Sequence, residues 1–225
     1  MIATFTDTTQ ASYVLEDRLL FPTEIRVLRW KETPRGFNER LVNVCKALRN
    51  GKFKDLRFFN YNLWGEEAAE LLQLKNMFTV GMTSYIDTYL KPEIKQNFDF
   101  DMHAWIRMDK PNSVTPPHNH PAASLVATYY CAAEIGARKT DVPGYEVNIS
   151  DGDLLLLDPR PTVQPVRYFK AGNIVAISPE VGMMVVMPGY LMHWTNPVSE
   201  GDSRICIANN MNLIPKNSLG KKESF

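Results

Sequence analysis

Three of the four histidines are spaced in the way that a metal site requires. His118 and His120 lie in Pro-Pro-His-Asn-His-Pro, and His193 lies in Met-Pro-Gly-Tyr-Leu-Met-His-Trp. Because side chains alternate along an extended segment, histidines two residues apart project to the same side. The fold must bring the third from roughly 70 residues further along. Three nitrogens on one face of a metal leave the opposite positions free for water, a co-substrate and oxygen, so the pattern predicts an open metal site.

The histidines fall in the part of the chain after Pro92, where short apolar runs alternate with proline, glycine, asparagine and aspartate. Strands of this length and spacing are typical of an antiparallel barrel or sandwich. The candidate strands are residues 98–108, 123–132, 145–149, 153–158, 174–178, 182–187 and 204–210. We therefore expect a β barrel or sandwich that places the three histidines at strand ends.

The first 97 residues are expected to support this barrel. Residues 20–28 alternate like a strand, and Pro22 suits a strand at the edge of a sheet. Apolar residues recur at helical intervals over 38–48, where Asn50-Gly51 supplies a stop signal, and over 65–90, where Lys91-Pro92 ends the pattern. We predict two amphipathic helices packed against the strands.

Composition restricts the class of partner. The 225 residues are 44% hydrophobic, which suffices for one large packed domain. Lysine plus arginine equals aspartate plus glutamate at 25 each, so no overall charge would attract nucleic acid or an anionic membrane. Cys45, Cys131 and Cys206 are odd in number and lie in apolar surroundings, which predicts buried free thiols. With no apolar segment long enough to cross a membrane, we expect a protein of the reducing cytoplasm.

The order of motifs resembles the 2-oxoglutarate/Fe(II)-dependent oxygenases. More narrowly, it is similar to a subgroup with His-x-His-Pro, a strand ending Tyr-Tyr, an Asp-Pro-Arg tripeptide, and Pro-x-x-Leu-x-His before Arg-Ile. These motifs begin here at His118, Leu125, Asp158, Pro188 and Arg204. The resemblance covers about residues 105–210 and extends more loosely to 20–90. It implies a double-stranded β-helix (jelly-roll, cupin-like) barrel over residues 98–213. Residues 1–97 would then hold an N-terminal strand and supporting helices, and 214–225 a polar tail of the same single domain.

The resemblance also implies site roles and cofactors. His118, His120 and His193 would bind Fe(II), and Arg204 would hold the distal carboxylate of the co-substrate 2-oxoglutarate through a bidentate pair. Tyr130 would be the second contact to that carboxylate, with Tyr129 its competitor, because alternation turns only one of them inward. Molecular oxygen and an unidentified small-molecule or peptide substrate would complete the reaction, which is a hydroxylation.

One position departs from the family pattern, since His120 stands where most of the superfamily has an aspartate or glutamate ligand. A neutral imidazole leaves the iron at full dicationic charge, and this shifts its ligand preferences. Two alternatives are that His120 points away, or that Asp158 supplies an oxygen ligand. The leading hypothesis is the 2-oxoglutarate-dependent hydroxylase, and two alternatives stay open: a cupin-like three-histidine oxygenase or lyase without 2-oxoglutarate, and a non-catalytic metal-binding barrel. In the last case His103 or a cysteine would complete a closed metal shell.

Overall fold

The computed structural model describes residues 22–30, 33–134, 139–141, 148–160, 173–199 and 203–216. Helix α1 spans Phe37–Asn50, helix α2 spans Ala69–Tyr89, and the short α3 spans Pro92–Lys95. Both long helices form where apolar periodicity predicts them. Helix α2 begins four residues later than expected, because residues Leu63–Gly65 form a separate 3-10 turn. That turn is capped by Asn62, whose Oδ1 accepts a hydrogen bond from the Trp64 amide. A second 3-10 turn covers Phe58–Asn60.

The larger of two main sheets has five antiparallel strands, which follow the spatial order β1-β9-β4-β11-β2. They are β1 (Arg26–Arg29), β2 (Phe98–Asp109), β4 (Leu125–Glu134), β9 (Met183–Pro188) and β11 (Ser203–Pro215). Strand β11 pairs with β2 over its whole length and with β4 on its other side. Residues 20 and 21 of the predicted first strand lie outside the described residues.

The smaller main sheet has four antiparallel strands in the order β3-β10-β7-β8. They are β3 (Thr115–His118), β7 (Leu154–Leu157), β8 (Ile174–Ile177) and β10 (His193–Thr195). Strands β5 (Lys139–Asp141) and β6 (Asn148–Ser150) form a separate pair, and residues 145–147 of the strand predicted there lie outside the described residues. Two facing antiparallel sheets with supporting helices are the jelly-roll architecture, so the expected fold, mainly β with N-terminal helices, is confirmed.

The core has two layers, and strand alternation decides which residue enters which. One layer lies between the helices and the large sheet and contains Tyr129 and Cys131. The other lies between the two sheets and contains Tyr130 and Cys206. Consecutive residues of β4 point to opposite faces, as the pleat of a strand requires. The three cysteines are free and buried, as predicted. None of the helices in the described residues has the length and apolar character needed to cross a membrane.

Candidate metal centre

The structure brings His118, His120 and His193 together. His118 and His193 are directly paired across strands β3 and β10, with ring centroids 4.4 Å apart. His120 follows the end of β3, and its ring centroid lies 5.2 Å from each of the other two. Each residue offers one ligand nitrogen, and the three nitrogens lie within 4.8 Å of one another. In the described part of the chain this is the one group of three or more histidine, cysteine or acidic side chains that could share an ion.

Backbone carbonyls orient two of these rings. His118 Nδ1 lies 2.8 Å from the carbonyl oxygen of Pro116, and His193 Nδ1 lies 2.9 Å from that of Leu191. A carbonyl oxygen only accepts hydrogen bonds, so each Nδ1 must carry the proton and donate it. The lone pair of the neutral ring is then on Nε2. Metal-binding histidines are commonly held in this way, with one ring nitrogen bonded to the protein and the other free for the ion.

His120 and His193 are kept neutral by their surroundings. Burial, and then the nearby charge of His118, lowers the pKa of His120 to about 4. Burial likewise lowers the pKa of His193 to about 4. The His120 ring also stacks on Trp105, at 5.9 Å between centroids and 20° between planes. At neutral pH these two rings therefore hold free lone pairs, which is the form that binds a metal.

The three histidines line a cavity of about 550 Å³ between the two sheets, together with Arg204 and Tyr130. The predicted alternative, Tyr129, is not at this cavity. It lies on the helix side of the large sheet, where its hydroxyl donates to Asn38 Oδ1 at 2.8 Å. Strand alternation thus brings one of the two tyrosines to the histidines.

Two orphaned polar atoms suit this cavity to a polar ligand. Thr115 Oγ1 and Asn210 Oδ1 are buried and have no hydrogen-bond partner within the described part of the chain. Both residues line the cavity that holds the histidines. Buried polar atoms are costly to leave without a partner, and a bound polar molecule would supply one.

Arg204 is held by a carboxylate that sequence reasoning missed. Its side chain is 1% exposed, and Nε and Nη2 lie 2.8 and 2.7 Å from Asp109 Oδ2. Its Nη1 donates to the Gly152 carbonyl at 2.5 Å. The other carboxylate oxygen of Asp109 accepts from Arg107 Nη2 at 2.7 Å. The sequence does show Arg107 and Asp109 two residues apart at the end of one predicted strand, which places both side chains on the same face. The register that pairs Asp109 with Arg204 is not visible in the sequence.

Gly189 is a second residue whose role the sequence did not reveal. Its carbonyl accepts the His120 amide at 2.8 Å, and its own amide donates to the Ser124 carbonyl at 3.2 Å. A Cβ at this position would lie 1.9 Å from the Ala123 carbonyl oxygen. Only glycine allows the segment before His193 to approach the segment after His120 this closely.

The alternative ligands do not reach the three histidines. Asp158 forms an ion pair with Arg160, at 2.5 Å between Oδ2 and Nη2, and lines a different cavity beside Tyr190. His103 Nε2 lies 3.1 Å from the Phe58 carbonyl oxygen. Neither residue, and none of the cysteines, belongs to the histidine group found among the described residues. The arrangement is therefore an open three-histidine site.

Comparison with protein families and solved structures shows which known proteins this chain is similar to. Residues 103–210 match a family described as "Putative 2OG-Fe(II) oxygenase". This match includes all three clustered histidines and Arg204. A search among curated proteins finds no match.

Three solved structures share the fold with a TM-score of 0.54. A prolyl-4-hydroxylase from Pseudomonas putida is 12% identical, covering 84% of this chain and 88% of its own. A prolyl hydroxylase from Trichoplax adhaerens, in complex with a hypoxia inducible factor peptide fragment, is 9% identical and covers 89% and 87%. HygX from Streptomyces hygroscopicus, with nickel and 2-oxoglutarate bound, is 12% identical and covers 86% and 83%. At these identities the likeness establishes a shared jelly-roll fold.

Proposed function

We propose that this protein is a dioxygenase that uses Fe(II), molecular oxygen and 2-oxoglutarate to hydroxylate an organic substrate, in the subgroup marked by His-x-His-Pro. The observation that carries the proposal is that the three histidines share one cavity with Arg204 and Tyr130. The substrate is a small molecule or a peptide, and nucleic acid is not expected.

His118, His120 and His193 would hold the iron. Their fit rests on the donor set, because three neutral imidazoles suit a divalent transition metal, and two of them are oriented by backbone carbonyls. When bound, Fe(II) and 2-oxoglutarate supply the oxidant that hydroxylates a C–H bond. The protein contributes a cavity whose surface is mostly apolar, which would favour burial of the apolar part of a substrate beside the metal.

Arg204 and Tyr130 would bind the distal carboxylate of 2-oxoglutarate. Contacts with Asp109 and Gly152 fix the guanidinium through Nε, Nη1 and Nη2. Each Nη atom carries a second N–H, so the group can still donate to an incoming carboxylate. Burial raises the pKa of Tyr130 well above its ordinary value, which keeps its hydroxyl protonated and able to donate.

The test is an anaerobic titration of the Fe(II)-loaded protein with 2-oxoglutarate, monitored by the metal-to-ligand charge-transfer band, followed by succinate formation in air. We expect a saturable band that Tyr130→Phe weakens and Arg204→Met abolishes. Arg160→Gln is the matched control, because Arg160 lines a different cavity. Absence of the band in protein shown to hold iron would refute the proposal.

The metal assignment has its own control within the chain. We expect His193→Ala to lower Fe(II) affinity at least about a hundredfold, because second-shell changes alone cost about 10- to 100-fold. His103→Ala should bind iron like the unaltered protein, because His103 stands apart from the three histidines.

The family match favours this function over a cupin-like enzyme whose substrate itself chelates the metal. The same titration separates the two, since that enzyme would give no 2-oxoglutarate band. A structural metal would require a fourth protein ligand, and the group found in the described residues has three.

A further inference from the structure

A second cavity adjoins the candidate metal centre and carries a different chemistry. It has a volume of about 670 Å³ and shares Phe58, Trp105 and Arg107 with the cavity of the histidines. We call it the outer groove, and we define it by Arg49, Arg57, Phe58, Phe59, Arg107 and Lys110. Because the two cavities meet at Phe58, Trp105 and Arg107, a ligand that extends along the outer groove can reach the histidines.

The outer groove is positively charged. Among the described residues that line it, four are arginine or lysine and none is aspartate or glutamate. Arg49 is fixed in place, because its Nη1 donates to the carbonyl oxygens of Phe53 and Leu56 at 2.7 and 3.1 Å. The lining itself contains no carboxylate among the described residues, although Asp109 outside the lining contacts Arg107, and this excess of cations favours an anionic ligand.

Arg107 stands where the outer groove meets the metal cavity. It contacts Asp109, but Arg204 contacts the same carboxylate, so two cations share one anion. The three side chains together carry a net charge of +1. The Arg204 side chain is 1% exposed and the Arg107 side chain 35% exposed. A ligand in the outer groove would therefore meet this positive charge at the Arg107 guanidinium. An anionic group of a ligand in the outer groove can reach it.

The wall beside these charges is the outer edge of strand β2. Strand β2 is the last strand of the large sheet. Its edge is covered at Ala104 and Ile106, whose amides donate to Asn62 Oδ1 and Tyr61 Oη at 3.0 and 3.1 Å. By strand alternation the amide and carbonyl of Met108 point to the same edge, beyond this cover. A peptide chain is the ligand that can pair with such an edge.

We propose that the outer groove binds an acidic peptide segment, extended along Met108 of β2, with one carboxylate side chain on Arg107 at the entrance to the metal cavity. The peptide bound there is a substrate only if the proposed oxygenase function holds, so this inference rests on that function. Arg57 and Lys110 bind further acidic groups, and the exposed rings of Phe58 and Phe59 pack against the peptide's apolar side chains.

Binding is measured without turnover, by fluorescence anisotropy on the metal-free full chain. The probes are a labelled hexapeptide of alternating glutamate and alanine, its lysine counterpart, and a labelled hexathymidylate. We expect the acidic peptide to bind at least about tenfold tighter than the other two and to weaken as salt shortens the Debye length. No binding of the acidic peptide, or tighter binding of the oligonucleotide, would overturn the proposal.

Charge-removing variants test the site itself. Arg107→Gln should weaken acidic-peptide binding about tenfold, and Arg57→Gln and Lys110→Gln about two- to fivefold each. Lys91→Gln is the matched control, since Lys91 is exposed and precedes β2 at the end away from the groove. If the control loses as much as the groove variants, the attraction is not local and the inference is wrong.

Hydrogen exchange tests the strand pairing. The Met108 amide should become protected when the acidic peptide binds, and unchanged exchange there would overturn the proposed pose. The two proposals fail separately. A 2-oxoglutarate band without peptide binding removes only this inference, whereas peptide binding without the band removes the proposed oxygenase function.

Discussion

The ion pair between Arg204 and Asp109 is buried, with both side chains at most 2% exposed, and this predicts a large loss of stability when Asp109 is removed. Asp109→Ala leaves the Arg204 guanidinium without its carboxylate, and arginine does not lose its proton in a protein. Breaking a buried pair in this way costs about 3–5 kcal/mol. For a chain of this size that corresponds to a melting temperature about 6–20 °C lower.

Removing Arg204 instead of Asp109 should lower the free energy of unfolding by less. In Arg204→Met, Asp109 still has the 2.7 Å contact with Arg107, so its charge keeps a partner. The double variant Asp109→Ala/Arg204→Met should be more stable than Asp109→Ala alone, because no buried charge is left unpaired. Arg107→Gln is the control for a partly exposed member of the same group, and we expect it to cost about 1 kcal/mol or less.

Urea unfolding of the metal-free variants, followed by circular dichroism, measures these differences. The unaltered protein, Asp109→Ala, Arg204→Met and the double variant form a double-mutant cycle. Its coupling energy measures the interaction between Asp109 and Arg204. The reasoning is refuted if Asp109→Ala costs less than about 1 kcal/mol, or if the double variant is less stable than Asp109→Ala. Either result would mean that the buried guanidinium does not depend on this carboxylate.

Three further predictions concern the tyrosines, a close backbone contact and a thiol. Tyr130→Phe should raise the Kd for 2-oxoglutarate about tenfold in calorimetry on the metal-loaded protein, whereas Tyr129→Phe should leave it unchanged, because Tyr129 is on the helix side. Gly189→Ala should lower the free energy of unfolding by at least about 3 kcal/mol, whereas Gly65→Ala, with open space at its Cβ, should be nearly neutral in the same urea titration. Burial, and then the charge of Asp109, raises the pKa of Cys206 to about 12, so the stability from its protonated form is lost as pH rises from about 8.5 towards 12. Thiol labelling at pH 9 should accordingly require urea.

The sequence predicted the long elements because hydrophobic periodicity governs them. The helix expected over 38–48 is Phe37–Asn50, and the last strand expected over 204–210 is Ser203–Pro215. Strands β3 and β10 were missed, although they position the histidines. Strand β3 contains two consecutive prolines and β10 has three residues, so neither carries a recognisable alternating pattern.

The histidine group was predictable, and the surroundings of Arg204 were not. The spacing of the histidines indicated that His118, His120 and His193 act together, and the family resemblance gave Arg204 its predicted role. The partner of Arg204 is 95 residues away and depends on the register of two long strands. Register follows from which faces are buried and how turns are built, and one sequence does not specify it. For the same reason the choice between Tyr129 and Tyr130 required the structure.

The buried Asp109 also bears on the proposed role of His120 as an iron ligand in place of a carboxylate. In the pattern that the chain resembles, a metal dication, one carboxylate ligand and one arginine sum to a charge of +2. In the proposed site, a dication held by three imidazoles, together with Arg204 and Asp109, would also sum to +2. The carboxylate expected beside the metal would then be replaced by one beside the arginine, and a dianionic co-substrate would be neutralised in both cases. Arg107 adds one further positive charge at the entrance, which leaves the occupied cavity suited to an anionic substrate.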